Sequence, residues 1–350
     1  MFSSFFPIGL PDVIVLMRNL SMTLRAGIPM LQALTLFEAD ARGSRKAVIT
    51  HLRKSVEAGQ PFSAAMASSA HPFPQIAIHL VQVGELSGTL QENLAALIGH
   101  LQRVLDLRRK IRSAMLYPMF VLVACLGLGL SVGTIVLPEL LPVFSSLDVV
   151  LPLSTRILIV VAGFFKVYGM LTAFLAAFVV VLLFIASRLE FFKPWFHRFT
   201  LWIPYVRTVQ KQTAVAQFTG TLGILLKSGV AVREAIPAAA EAVENRLFRR
   251  AIKRSMVIVE GGRTLSEGLR TSGSLFPDMT LSLIGIGEET GTLDDTLEYL
   301  ATYYQGEVDY AIKDLTTALE PVLLITIGIF VGFTVMAIIS PLYDVTGSLG

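Results

Sequence analysis

Residues 73–90 read FPQIAIHLVQVGELSGTL, and residues 276–293 read FPDMTLSLIGIGEETGTL. Phe73-Pro74 returns as Phe276-Pro277 about 203 residues later. The motif Gly84-Glu85-x-x-Gly88-x-Leu90 returns as Gly287-Glu288-x-x-Gly291-x-Leu293. Outward from these stretches the offset holds. Val56-Glu57 and Gly59 match Val259-Glu260 and Gly262, and Pro118 matches Pro321. With a one-residue slip, Leu24, Gly27 and Ala33 match Leu226, Gly229 and Ala235. Agreement of this extent marks two copies of one unit, each a helical region followed by an apolar run.

The punctuation inside each copy is that of short helices. Gly27 and Gly229 break one apolar helix, and Gly59 and Gly262 stop another. Ser63 and Ser266 are placed to cap the helix that follows. The segment from Pro74 to Val81 is amphipathic with proline at its start. Gly84 and Gly287 are read as the left-handed end of that helix. Thr89 with Glu92, and Thr292 with Asp295, have the spacing of a capping box. Leu90, Leu94, Leu97 and Leu101 then form one stripe, as do Leu293, Leu297 and Leu300. Strand signals are nearly absent, so the expected class is all-α.

Composition adds a membrane. Of 350 residues 53% are hydrophobic, only 16% are charged, and the mean hydropathy is +0.66. Soluble domains usually carry roughly 25% charge. The apolar residues gather in three uncharged runs, between Arg112 and Glu139, Lys166 and Arg188, and Glu320 and Asp344. Each is about the roughly 20 residues that a bilayer core requires. Arg108, Arg109, Lys110 and Arg112 precede the first run; Arg188, Lys193 and Arg198 follow the second; Lys313 precedes the third. Cationic flanks stay in the cytoplasm. The expected layout is a cytoplasmic helical domain at 1–112 and a first span at 113–138. A periplasmic loop with an interfacial helix follows at 139–166, then a second span at 167–187. The repeated cytoplasmic domain occupies 188–318, the last span 319–341 and a periplasmic tail 342–350. Pro118 and Pro321 are read as opening the first and last spans. No cleavable signal peptide is expected, because Met1 to Gly9 lack a basic start and a long apolar stretch.

Catalytic chemistry finds no foothold. The five histidines, His51, His71, His79, His100 and His197, have no metal-ligand spacing, and there is no phosphate-cradling loop. One cysteine, Cys125, excludes a disulfide framework and a thiolate zinc site. No catalytic residue, cofactor or metal is expected. Glu85 and Glu288 draw attention because both copies keep them. They are either solvated turn carboxylates or contacts to the other domain or to a partner.

In its order of parts the chain resembles the type II secretion F / type IV pilus platform family, from about residue 12 to near the end. The resemblance rests on Leu24-Arg25-Ala26-Gly27-Ile28-Pro29, Tyr117-Pro118, Leu151-Pro152-Leu153, Glu320-Pro321, the two Phe-Pro pairs and the two Gly-Glu motifs. It implies a polytopic inner-membrane protein with six-helix cytoplasmic domains. It also implies a scaffold without enzymatic activity, placed between a cytoplasmic hexameric ATPase and a pilin filament. The expected partners are that assembly ATPase, with a retraction ATPase as a further candidate, pilin or pseudopilin subunits, inner-membrane alignment proteins, the lipid bilayer and further copies of the chain. Nucleic acid is not expected. Longer members carry a further N-terminal segment, and the first domain here is expected to begin near Leu10-Pro11-Asp12. Copy two departs from the pattern at Ala231, where copy one has Pro29. The rival reading is a small oligomeric transporter or channel, which the uncharged runs disfavour.

Overall fold

Glycine and proline cut the first copy into six helices. The computed structural model describes residues 9–131, 160 and 204–348. Its first helices are α1 (Leu10–Arg25), α2 (Met30–Asp40), α3 (Gly43–Glu57), α4 (Phe62–Ala67), α5 (Gln75–Ser87) and α6 (Leu90–Ser131). The second copy repeats them as α7 (Pro204–Lys227), α8 (Val232–Ala242), α9 (Arg246–Glu260), α10 (Leu265–Arg270), α11 (Asp278–Thr290) and α12 (Leu293–Ser348). Among the described residues there is no strand. Gly27, Gly59, Gly229 and Gly262 all take positive φ, between 79° and 84°. A side chain there would meet the steric cost of the left-handed region.

The same tie joins the second and third helices of each copy. Glu38 on α2 accepts from Thr50 Oγ1 at 2.6 Å and Arg53 Nε at 2.5 Å on α3. The Thr50 hydrogen bond, then the Arg53 guanidinium, hold its carboxyl below the usual carboxylate range. On α8, Glu241 takes the equivalent place and pairs with Lys253 and Arg249 of α9.

Two compact units result. The first holds the described residues up to Lys110 and from α7 to Ala311. Its apolar interior is continuous through both copies, from Val13, Met17 and Leu80 to Phe218, Phe248, Phe276 and Leu297. α5 packs against α7 and α8. α7 is buried on nearly every side through its middle, at Ala214, Val215, Ala216, Phe218, Thr219, Thr221 and Leu222. It has no polar face to show solvent, and such a helix belongs inside a bundle.

The second unit contains the continuations of α6 from Ile111 and of α12 from Ile312. Their side chains face outward although they are apolar: Phe120 is 73% exposed, Ile329 68% and Met336 70%. Pro118 and Pro321 lie inside α6 and α12, far from where either helix starts. The reason is local. The residues before each proline, 107–117 and 311–320, are rich in helix formers and hold no glycine or proline. Among the described residues no helix is long and apolar enough to cross a membrane. All of 167–187 and, apart from Val160, the loop before it lie outside the described residues. The three-span layout therefore stands on the sequence alone.

Candidate functional site

The Gly-Glu motif is a junction of three helices, and each of its positions has a separate job. Gly84 is inside α5, not at its end. The left-handed residue that closes α5 is Gly88, at φ 74°, and Gly291 closes α11 at φ 73°. The earlier assignment of that role to Gly84 and Gly287 is thus corrected by four residues. Gly84 is buried where α5 crosses the start of α6. A Cβ there would lie 2.7 Å from the Leu90 Cα and 3.2 Å from Leu90 Cδ1. Gly287 has the same place against α12, with Thr296 Oγ1 at 2.8 Å and the Leu293 Cα at 3.1 Å. Leu90 and Leu293 begin the helices that press on these glycines, and both are packed against the core.

Glu85 turns the other way, toward α4. Its carboxylate accepts from Phe62 N at 2.5 Å, Ser63 N at 3.1 Å and Ser63 Oγ at 2.6 Å. Glu288 accepts from Leu265 N at 2.5 Å and Ser266 N at 3.0 Å on α10. The first amides of a helix have no partner within it, and a carboxylate satisfies them and complements the positive end of the helix dipole. So both glutamates are half-buried caps on a neighbouring helix of their own repeat. Neither a solvated turn nor a contact between repeats describes them. The serine caps are corrected too: the N-caps are Pro61 and Thr264. Pro61 offers no side-chain acceptor, whereas Thr264 accepts from Glu267 N at 3.2 Å. The proposed Thr89–Glu92 box is also absent. Thr89 Oγ1 meets Ser87 Oγ at 2.6 Å, and Thr292 Oγ1 meets Thr290 Oγ1 at 2.7 Å.

A second feature joins the repeats. His100 on α6 is 4% exposed, and its Nε2 lies 3.3 Å from Thr221 Oγ1 on α7. Gly220 and Gly223 let the helices close in; a Cβ on Gly220 would sit 3.4 Å from Ala301 Cβ, and one on Gly223 3.1 Å from Leu297 Cβ. A groove of about 490 Å³ is lined by Ala95, Ala96, Gly99 and Arg103 of α6 and by Gly220 and Gly223 of α7 among others. Lys227 of α7 and Glu298 of α12 also line it and pair with each other at 2.6 Å.

Burial, then the charge of Arg103, push the His100 pKa from 6.5 down to about 4. Its imidazole is neutral in the folded protein at neutral pH. Below about pH 6.5 the unfolded chain takes up a proton that the folded chain refuses, so stability falls as pH drops from 6.5 toward 4. The total is about 3 kcal/mol. His100→Gln should flatten this part of the curve. Unfolding midpoints of the detergent-purified protein between pH 7 and pH 4.5 check it. Parallel curves for the two proteins would show that His100 carries no such penalty.

The comparisons with known proteins follow the same two-copy plan. The family described as type II secretion system (T2SS), protein F, matches residues 16–138 and again 218–341. The chain is 34% identical to the type IV pilus assembly protein PilC of Thermus thermophilus, over 97% of this chain and 84% of that protein. It is 32% identical to the type II secretion system protein F of Pseudomonas aeruginosa, with 97% and 84% covered. It is 31% identical to the type 4 fimbrial assembly protein PilC of Pseudomonas putida, with 95% and 83% covered. A family pattern that fits both repeats, and relatives that align with nearly the whole of this chain, make it a member of the type II secretion system protein F family.

Proposed function

We propose that the chain is an inner-membrane platform protein of a type IV pilus or type II secretion machine. The names of its relatives supply the two kinds of machine. The platform couples a cytoplasmic assembly ATPase to the insertion of pilin or pseudopilin subunits into a filament, and performs no chemistry of its own. The three uncharged runs cross the bilayer, with 1–112 and 188–318 in the cytoplasm and with 139–166 and 342–350 in the periplasm.

The observation that carries this reading is the course of α6 and α12. Each starts in the core shared by the two repeats and continues without a break into an apolar stretch. Beyond the core that stretch turns Leu116, Met119, Phe120, Ile325 and Ile329 outward. Apolar surface left in water costs roughly 25 cal/mol per Å², a cost that lipid removes. A displacement of the core by a partner then passes along two continuous helices to segments against which pilin helices can pack.

Topology reporters test the layout. Fusions at Ser3, Asp148, Asn245 and Gly350 are expected to read cytoplasm, periplasm, cytoplasm, periplasm. A cytoplasmic signal at Gly350 overturns the three-span platform.

A further inference from the structure

The union of the two repeats is one-sided. α5 of the first repeat packs against α7 and α8 of the second, and His100 of α6 meets Thr221 of α7. Ile76, Leu80 and Val83, at i, i+4 and i+7, form an apolar stripe along α5. Ile76 is 4% exposed and Leu80 is fully buried. The second repeat keeps the stripe on α11 as Met279, Leu283 and Ile286. There it is open: Met279 is 42% exposed, Ile286 is exposed, and Leu283 is half-buried. On α12, Tyr299 and Tyr303 stand where α6 has Ala96 and His100. Both rings are exposed and stacked, with centroids 6.4 Å apart.

The other half of the contact is open as well. α7 and α8, which cover α5, correspond to α1 and α2. Gln217 of α7 is 5% exposed, whereas its counterpart Val15 on α1 is 49% exposed. Ala238 of α8 is buried, whereas its counterpart Leu36 on α2 is exposed. Val15, Arg18, Met22 and Arg25, at i, i+3, i+7 and i+10, lie on one face of α1, and all four are exposed. The charges also differ between the two open faces. From Phe276 to Ile312 there is no lysine or arginine, and Asp278, Glu289 and Asp295 are exposed. α1 carries Asp12, taken up by Arg45 at 2.7 Å, and the two exposed arginines. α2 adds Glu38, taken up by Arg53, and an exposed Asp40 at its last position.

We propose that α11, with the start of α12, is a docking surface for α1 and α2 of a second copy of this chain. The internal contact identifies the occupant. The chain already seats α7 and α8 on α5, and it carries both unmatched halves of the same contact. A contact between two different faces of one unit leaves a free face at each end, so it joins copies head to tail. Tyr299 and Tyr303 supply aromatic anchors, a residue type that interfaces favour. Arg18 and Arg25 face an acidic rim. The proposal goes beyond the platform reading and does not need the membrane layout, because every residue in it belongs to the first compact unit.

Sedimentation velocity of the full-length protein in detergent, at micromolar concentration, is expected to show species larger than one chain. Met279→Gln with Ile286→Gln should weaken self-association about 100-fold, and Val15→Gln with Leu36→Gln should do the same. All four side chains are exposed, so the unfolding midpoints should stay at the wild-type value. Val257→Gln, at an exposed position of α9 outside both faces, should change nothing. The two double variants mixed together should form pairs and nothing larger, since each supplies the face that the other has lost. A wild-type protein that sediments as a single chain overturns the proposal and leaves α11 to a different partner. Unchanged association in either double variant overturns it too, and assigns self-association to another surface. Failure of the mixture to pair also overturns it, because a contact between like faces gives no such rescue.

Discussion

Replacing Glu85 by alanine is expected to destabilise the protein by about 2–3 kcal/mol, and replacing Glu288 by about 1–2 kcal/mol. Glu85 is the acceptor for two amides and a hydroxyl at the head of α4, and the N-cap there is a proline with no acceptor of its own. Glu288 shares its task with the Thr264 hydroxyl, which takes the Glu267 amide. The two junctions lie in different repeats, so their effects should add. A total near 4 kcal/mol is a large part of ordinary domain stability, which is about 5–15 kcal/mol. Glutamine should fall between, because it keeps one acceptor but turns a donor toward an amide that also donates. Chemical unfolding of the purified variants and their abundance in membranes measure this. Filament assembly should decline only as far as protein level does. A Glu85→Gln protein of normal abundance and stability that assembles no filaments would mean that the carboxylate serves a partner and not α4.

Alanine at Gly84 is expected to reverse the usual effect of a glycine-to-alanine change in a helix. Inside a helix alanine is ordinarily favoured by about 1 kcal/mol. At Gly84 the new methyl would stand 2.7 Å from a backbone atom of Leu90, which cannot rotate away. α5 and α6 would have to separate at their crossing, and overpacking of this kind costs about 1–3 kcal/mol or more. Gly287→Ala should cost less, since its nearest contact is the Thr296 side chain. Gly99 is the control. It also lies within a helix, but a Cβ there meets only Arg103 Nη1 at 3.8 Å, so alanine should be neutral or stabilising. Thermal midpoints of the three variants decide the matter. If Gly84→Ala and Gly99→Ala shift in the same direction, the close crossing is not what requires glycine at position 84.

The two-copy plan was plain in the sequence because the Phe-Pro pairs, the Gly-Glu motifs and the glycine breaks recur at one offset. Which glycine of a motif does what was not. Gly84 and Gly88 are four apart, so each could end a helix, and only the crossing of α5 over α6 shows that the first is a contact and the second a stop. The glutamates were picked out for their recurrence. Their task could not be read, because the amides they cap are 22 and 23 residues away in the chain. The union of the repeats was hidden for another reason. α7 alternates small, apolar and hydroxyl residues with no polar stripe, a pattern that points to burial without naming the helices that bury it. His100 looked like one more histidine without a ligand spacing, since its neighbour Thr221 comes 121 residues later.

The continuous interior of the first unit has a consequence for how the chain is made. The face of α5 that meets α7 and α8 is finished on the ribosome long before its cover exists. Some 90 residues separate Lys110 from Pro204. At roughly 5–20 residues per second, the first repeat waits on the order of 5–20 s with Gly99, His100 and the flank of α5 uncovered. During that interval α1 to α6 are half a bundle with an open apolar side. Translation speed through residues 111–203, and whatever holds that side meanwhile, therefore govern how much of the newly made protein closes correctly.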